Sequence, residues 1–345
     1  MPVLNLKPSD TSTKMDNSLF QDLARIIDQG KNQLAKQVNS TITLVYWQVG
    51  KRINENVLNN QRAEYGKEIV SPLATQLVSK YGRSFEVKNL RRMMQFAEQF
   101  TDFEIVVPLA RQLSWSHILL LLPLKSKEEK IYYAQKAVEE TLGKRELRKQ
   151  IEQKAYERGE IANVQVSLGM PELQNTFKDP YFLDFLGLKD GYMEKDLESA
   201  IIKELENFIL ELGKGFTFVE RQKRIILDGK DFYIDLLFFH RKLKRLVAIE
   251  LKLRDFKPAD KGQMELYLKW LDRYDRQEDE NSPIGLILCA GKSTEQIELL
   301  QMHKDGIMVA EYWTDLPPKA ELEKKLHSLL IEAKERIERR KSLNQ

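Results

Sequence analysis

Cysteine is almost missing from this chain: Cys289 is the one thiol in 345 residues. A lone cysteine rules out an internal disulfide and any metal site built from several thiolates. Histidine is scarce too, with four scattered residues and no paired zinc-ligand spacing. Any metal chemistry therefore falls to oxygen ligands, which favours magnesium, manganese or calcium. Neither sign of charge dominates. The net charge of +3 is too small to argue for a polyanion partner, so such a partner would have to be met by local basic patches. Long apolar runs are also missing: the longest, Ile118 to Leu124, is far too short to cross a bilayer. The N-terminus lacks the basic-then-apolar pattern of a signal peptide. The expected setting is the cytoplasm, with no membrane contact.

What is present suits a soluble chain of one or two domains, since hydrophobic residues make up 42% and charged residues 31%. Residues 1–17 are polar and read as a disordered tail. From residue 18 to about 160 the apolar spacing is helical: Leu23, Ile26, Ile27 and Leu34, then Val45, Val49 and Ile53, then Val70, Leu73, Leu77 and Val78. Asp102 to Pro108 reads as a short loop or strand. Residues 161–180, with Gly169, Pro171 and Pro180, read as a linker.

Residues 181–345 change class. One helix is expected over Leu197–Leu212, stopped by Gly213. Strand-like runs follow at Phe216–Leu227, Phe232–Phe239 and Leu246–Leu253, with turns at Gly229 and at the basic segment His240–Arg245. Pro258 opens a helix to about Tyr274, Ile284–Cys289 is an apolar strand, Ser293–Gln301 a short helix, Gly306–Tyr312 another strand, and Lys319–Lys341 a closing helix. The fold class is an α-helical N-terminal domain followed by an α/β domain with an α-β-β-β-α-β core and a mixed sheet.

Two carboxylates stand inside apolar strands. Asp235 lies in Tyr-Ile-Asp-Leu-Leu-Phe-Phe, and Glu250 in Ala-Ile-Glu-Leu-Lys. Strand alternation puts Glu250 and Lys252 on one face, and a tight hairpin makes Asp235 a cross-strand neighbour. Burying such charges is costly unless they are paired or bound to a metal. The triplet Glu-x-Lys alone is weak, because it recurs at Glu86, Glu128, Glu152, Glu323 and Glu332. Those copies lie in helix-like or polar surroundings; only Glu250 and Lys252 share an apolar strand next to a second acid. An internal salt bridge is the competing account of that pair. Two more polar residues fall on apolar helix faces: Gln263, one turn before Tyr267, and Glu198, which stacks with Ile201, Ile202 and Leu205.

The series Glu198, Glu220-Arg221-Gln222, Ile234-Asp-Leu, Ile249-Glu-Leu-Lys252 and Gly262-Gln-x-x-x-Tyr267 resembles the PD-(D/E)XK nucleases, and among them the YhcG-type family. The first half resembles that family's helical N-terminal domain through Tyr46-Trp-Gln-Val-Gly50, Gln112-Leu-Ser-Trp-Ser-His117 and Ala155-Tyr-Glu-Arg158. The resemblance implies a restriction-endonuclease-like α/β domain and a metal-dependent nuclease that hydrolyses DNA. It implies Asp235, Glu250 and the Leu251 carbonyl as ligands of Mg²⁺, with Mn²⁺ as a substitute. Lys252 then assists the attacking water, Gln263 closes the site and Glu198 stands near the metal. Arg221, Gln222 and Tyr267 are candidate substrate contacts or supports. Two positions depart from the pattern: Ile234 replaces the eponymous proline, and Glu220 stands where many relatives have a small residue. Glu220 is read as an added ligand or a perturbation of the site.

The basic segments Lys223-Arg224, His240–Arg245 and Arg339–Lys341 are candidate phosphate contacts. Trp115 and His117 lack the acid partner and nucleophile elbow of a Ser/His catalytic group and read as packing or as a substrate contact of the helical domain, and Cys289 as a core position. The competing function is a non-catalytic DNA-binding or complex-forming protein that keeps the nuclease fold; RNA is the weaker alternative substrate. A homodimer or larger nuclease complex is compatible with one site per chain.

Overall fold

The computed structural model describes residues 12–59, 63–166, 171–188 and 191–343. Two compact units divide the chain, residues 1–151 and 152–345.

The first unit is helical. α1 (Ser12–Asn59) runs through 48 residues, and α2 (Ala63–Tyr81), α3 (Val87–Gln99), α4 (Phe103–Gln112), α5 (Trp115–Leu121), α6 (Lys127–Glu139) and α7 (Lys144–Glu152) follow. The core forms where the C-terminal part of α1 crosses α3. Gly50 is required there, because a Cβ would lie 1.9 Å from the Met93 carbonyl oxygen. Trp47 is buried and donates to the Phe100 carbonyl at 2.7 Å. Two expectations change. Of the tail, residues 1–11 lie outside the described residues, and 12–17 form the first turns of α1. The segment after Asp102 is α4, not a strand or loop: the Asp102 carboxylate caps the Glu104 N–H at 2.9 Å. Pro108 is accommodated inside that helix.

The second unit begins with α8 (Ala155–Val166). The expected linker is not a spacer. Ala162, Val166, Leu173, Phe177 and Tyr181 all enter the main core cluster, while residues 167–170 lie outside the described residues. Pro and Gly punctuate turns there, but the apolar residues between them pack. β1 (Tyr181–Phe182), α9 (Glu194–Lys203), α10 (Leu205–Leu212), β2 (Phe216–Leu227), β3 (Lys230–His240), β4 (Arg245–Lys252), α11 (Pro258–Tyr274), β5 (Ile284–Cys289), α12 (Thr294–Leu299), β6 (Ile307–Trp313) and α13 (Lys319–Leu343) complete it. The single helix expected over 197–212 is thus two helices, divided at Glu204.

The sheet order is β1-β6-β5-β4-β3-β2. β2, β3 and β4 are antiparallel; β4, β5, β6 and β1 are parallel, so the sheet is mixed as expected. Strand alternation sorts the core into two layers. Val247, Ile249 and Leu251 pack with Leu197, Ile201, Phe208 and Leu212 of α9 and α10 on one face. Leu246, Ala248, Ile287 and Val309 pack with Met264, Tyr267 and Leu271 of α11 on the other. Gly285 lets α11 approach closely, since a Cβ there would sit 2.5 Å from the Met264 sulfur. This arrangement fixes α11 over the face that carries Glu250 and Lys252.

Candidate active site

The strand pairing itself makes the site. β3 and β4 are in register from His240 and Arg245 to Leu236 and Ile249, and the backbone ladder ends there. Beyond that point the side chains take over. The Leu251 N–H donates to Asp235 Oδ2 at 2.9 Å, and the Asp235 N–H donates to Glu250 Oε1 at 3.3 Å. The two carboxylates are therefore clasped by each other's strands where the strands part. Glu250 is opposite Ile287, near the carboxyl ends of the parallel strands β4 and β5.

Lys252 Nζ lies 3.1 Å from Glu250 Oε2, so the salt bridge weighed from the sequence is present. It does not balance the charge. Burial, and then the neighbouring Asp235 carboxylate, push the Glu250 pKa up to about 8 against the pull of Lys252. Burial also raises Asp235, although the Leu251 N–H and Lys252 oppose it. Burial alone would lower Lys252, but the Glu250 and Asp235 charges raise it, so it stays protonated at neutral pH. Two carboxylates share one lysine, and the negative charge is in excess.

Beside Asp235 opens a cavity of about 400 Å³, lined by Glu194, Lys195, Glu198, Arg221, Gln222, Asp235 and Leu251. A register shift between Phe218 and Glu220 on β2 precedes Gln222, which adopts a left-handed backbone with φ 50°. Such a conformation costs a non-glycine residue about 1 kcal/mol or more. The Gln222 amide Nε2 bridges Glu198 Oε2 at 3.0 Å and Asp235 Oδ1 at 3.1 Å. Arg221 ion-pairs with Glu198. On the α11 side, Gln263 donates to the Tyr267 hydroxyl at 2.6 Å. Burial raises the Tyr267 pKa, the Gln263 hydrogen bond opposes it, and the Glu250 charge raises it further.

The structure thus brings Glu198, Arg221, Gln222, Asp235, Glu250, Leu251 and Lys252 together, while Gln263 and Tyr267 pair with each other on α11. Glu220 is not among them: its carboxylate is exposed and pairs with Lys223 at 3.1 Å. The register shift explains this, because it turns Glu220 away while Arg221 and Gln222 face the cavity. Glu194 and Lys195 were not singled out from the sequence. Glu194 stands four residues before Glu198, which is one helical turn, and its Oε1 accepts the Leu253 N–H at 3.4 Å.

The basic segments fare less well as free phosphate contacts. Lys223 also faces Asp275 at 3.4 Å, and Arg224 lies 2.9 Å from Asp231. In the β3–β4 turn, His240 and Arg245 are buried; His240 Nδ1 accepts the Leu243 N–H and Arg245 reaches Glu172 at 3.5 Å. Arg241, Lys242 and Lys244 stay exposed. Arg339 pairs with Glu335 at 3.3 Å, and the side chains of Arg340 and Lys341 lie outside the described residues. His117 is structural, with Nδ1 2.8 Å from the Ser114 hydroxyl and Nε2 3.1 Å from the Leu142 carbonyl. Cys289 is buried, and its pKa is pushed up to about 12.

Comparison with known proteins decides the family. Residues 174–327 match the YhcG PDDEXK nuclease domain, and residues 22–158 match the DUF1016 N-terminal domain. A protein of Escherichia coli (strain K12) described as "Putative nuclease YhcG" is 30% identical over 353 residues, which is 91% of this chain and 94% of that protein. The chain belongs to the YhcG family of PD-(D/E)XK nucleases. Solved structures show a weaker and shorter likeness. A repair endonuclease from Pyrococcus abyssi is 23% identical with a TM-score of 0.26. An EndoMS-dsDNA2 complex is 22% identical, also with a TM-score of 0.26. Both likenesses span 38% of this chain and half of the other.

PD-(D/E)XK nucleases use divalent metals, so the donor set of this YhcG-family site can be tested for fit. Among the described residues no three His, Cys, Asp or Glu side chains converge on one point. Asp235 and Glu250 match the sparse carboxylate set that Mg²⁺ takes when water and substrate phosphate fill the remaining positions. The charge balance supports the fit: burial and the Asp235 carboxylate lift Glu250, and a dication would offset both negative charges. Among the described residues no helix is long and apolar enough to cross a membrane.

Proposed function

We propose that this protein is a metal-dependent nuclease that hydrolyses DNA phosphodiester bonds in the cytoplasm. The observation that carries the reading is the interlocked Asp235–Glu250 pair with Lys252 at the parting strands, charge-poor on the positive side and beside an open cavity. Asp235, Glu250 and the Leu251 carbonyl would hold Mg²⁺, or Mn²⁺ in its place. Bound there, the dication would polarise the phosphate and acidify a water.

The remaining steps belong to the chain's own residues. Hydrolysis puts water in line with phosphorus and expels a sugar oxygen, while negative charge builds on the phosphate oxygens. Lys252 Nζ, protonated and held by Glu250, orients the water and faces that charge. Gln222 fixes the Asp235 carboxylate and ties it to Glu198. Arg221, next to the cavity, is positioned to meet a phosphate of the strand. Gln263, locked by Tyr267, closes the α11 side.

The purified chain should nick or degrade DNA with Mg²⁺ or Mn²⁺ and be silent in EDTA. Duplex, single-stranded, branched and modified DNA assayed beside RNA would assign the substrate class. One observation favours a second reading, a non-catalytic DNA-binding or complex-forming protein: Lys252 is already consumed by Glu250. That reading expects metal-independent DNA binding and no cleavage of any substrate, even at high protein concentration. One site per chain also favours a homodimer or larger complex for cutting both strands.

A further inference from the structure

α1 packs into its own unit only through its C-terminal part, and among the described residues none from 21 to 42 is buried. Thr43, Tyr46, Trp47, Gly50 and Ile53 are buried. Leu23, Ile27, Leu34, Val38 and Val45 are 49, 55, 63, 47 and 39% exposed, with Ile26 and Ile42 exposed beside them. The steps between those five residues are four, seven, four and seven, an eleven-residue repeat that matches a nearly straight helix. At about 100° per residue they fall within an arc of roughly 60°, on the side of the helix away from its buried residues. They extend about 33 Å along the axis. Gly30 lies on the same line, and a Cβ there meets nothing within 4 Å, which leaves a notch for a facing side chain. Interrupted only by Gly30 and Thr41, the strip is at the upper end of the apolar patch that a soluble monomer exposes.

The chemistry of the surroundings selects the occupant. Between Ser18 and Gln48 the charged residues are Asp22, Arg25, Asp28, Lys31 and Lys36, two acids against three bases. That balance neither repels a second copy nor supplies the basic surplus that holds a helix on anionic lipid or nucleic acid. A helix with the same repeat matches the strip along its whole length. Two copies laid together would bury about 600 Å² per chain, about 1,200 Å² in all, which reaches the range of a specific interface.

We propose that α1 is a homodimer interface, in which the Leu23–Val45 strips of two copies of this chain pair lengthwise. The proposal is independent of the nuclease reading and stands whether or not the protein cuts DNA.

Sedimentation velocity on the full chain tests it. At about 10 μM, wild type should sediment as a dimer of the 40.4 kDa chain, and Ile27→Glu/Leu34→Glu as a monomer, with dissociation constants at least ~100-fold apart. Both side chains are more than half exposed, so the monomer fold has no need of them. Ile27→Ala/Leu34→Ala keeps helix propensity and should weaken the dimer about 10-fold, which separates loss of the interface from loss of the helix. Gln29→Glu, on the opposite side of α1, should leave the dimer intact. A wild type that stays monomeric at ~100 μM overturns the proposal. So does a dimer that survives the double glutamate variant, or one that Gln29→Glu disrupts equally. Flotation of a monomeric wild type with phosphatidylserine vesicles, abolished by the double glutamate variant, also overturns it and assigns the strip to lipid.

Discussion

Two of the buried charge clusters in the second unit have opposite balances. In one, Glu211 is held by Arg158 and Lys178 and accepts the Phe182 N–H at 2.9 Å. Burial would raise Glu211, but the two cations and the N–H bring its pKa below the usual carboxylate value. In the other, Asp235 and Glu250 share Lys252, and Glu250 is pushed up to about 8. In the first cluster the carboxylate's charge is more than met, and Arg158 also donates to the Gln153 and Pro180 carbonyls and lies 3.8 Å from the Phe182 ring centroid. It ties α8 to α10 and β1. The second keeps an unmet need for positive charge beside a cavity. A buried charged group by itself says little about function; the sign of the residual imbalance separates a structural tie from a site.

The largest expected effect is on chemistry. Asp235→Ala and Lys252→Ala should each lower metal-dependent cleavage by a factor of about 10³ or more, as removal of a principal charge from a preorganised site does. Asp235→Ala should not lower the melting temperature appreciably, since it removes one of two carboxylates that compete for Lys252, whereas Lys252→Ala leaves both without their cation and should lower it. Cleavage within about 10-fold of wild type in either variant would remove the proposed roles. Arg158→Met should do the reverse of Asp235→Ala. It strands Glu211, costs about 3–5 kcal/mol, and lowers the melting temperature by about 10 °C. Differential scanning calorimetry beside the cleavage assay makes the contrast directly.

Acid and base should pull the clusters apart in the same way. Glu211 has a depressed folded pKa, so its contribution is present above the ordinary value of 4.5 and is lost as pH falls below it. Glu250 has a raised folded pKa, so in EDTA the folded state binds the extra proton between pH 4.5 and about 8. Stability contributed there declines as pH rises through that window, on the order of 5 kcal/mol in total. Unfolding midpoints measured across pH 5–8 should slope downward in EDTA. Glu250→Gln should flatten the slope, and so should added Mg²⁺ if the cation binds as proposed.

Much of this was legible in the residues. Alternation in Arg245–Lys252 placed Glu250 with Lys252, and hairpin spacing placed Asp235 beside them, because strand geometry is periodic and short-ranged. The helix after Pro258 and its Gln263–Tyr267 pair followed from a Pro start and a four-residue spacing. Irregular backbone was not legible. The register shift before Glu220 and the left-handed Gln222 decide which of three adjacent polar residues faces the cavity, and no pattern of residue types announces them. Nor was the packing of residues 161–180, where Pro and Gly signalled turns while Leu173 and Phe177 supplied core. Glu194 was within reach through its one-turn spacing from Glu198, but an acid in a helix's first turn is ordinarily explained by the helix dipole.

The smallest expected effect sharpens the comparison at its edge. Glu220 is adjacent in sequence to Arg221 and Gln222, yet its carboxylate points to the surface and meets Lys223 at 3.1 Å. Lys223 retains Asp275 at 3.4 Å when Glu220 is removed. An exposed pair with a replacement partner contributes at most about 0.5 kcal/mol. Glu220→Ala should therefore leave unfolding within that margin and cleavage within about 2-fold. Gln222→Ala, one pleat further in, should cost at least ~10-fold in cleavage, because it frees Asp235 and Glu198 from their shared amide. Equal losses from the two variants would mean that strand β2 reaches the substrate on both faces, and the register shift would then not be the divide between surface and site.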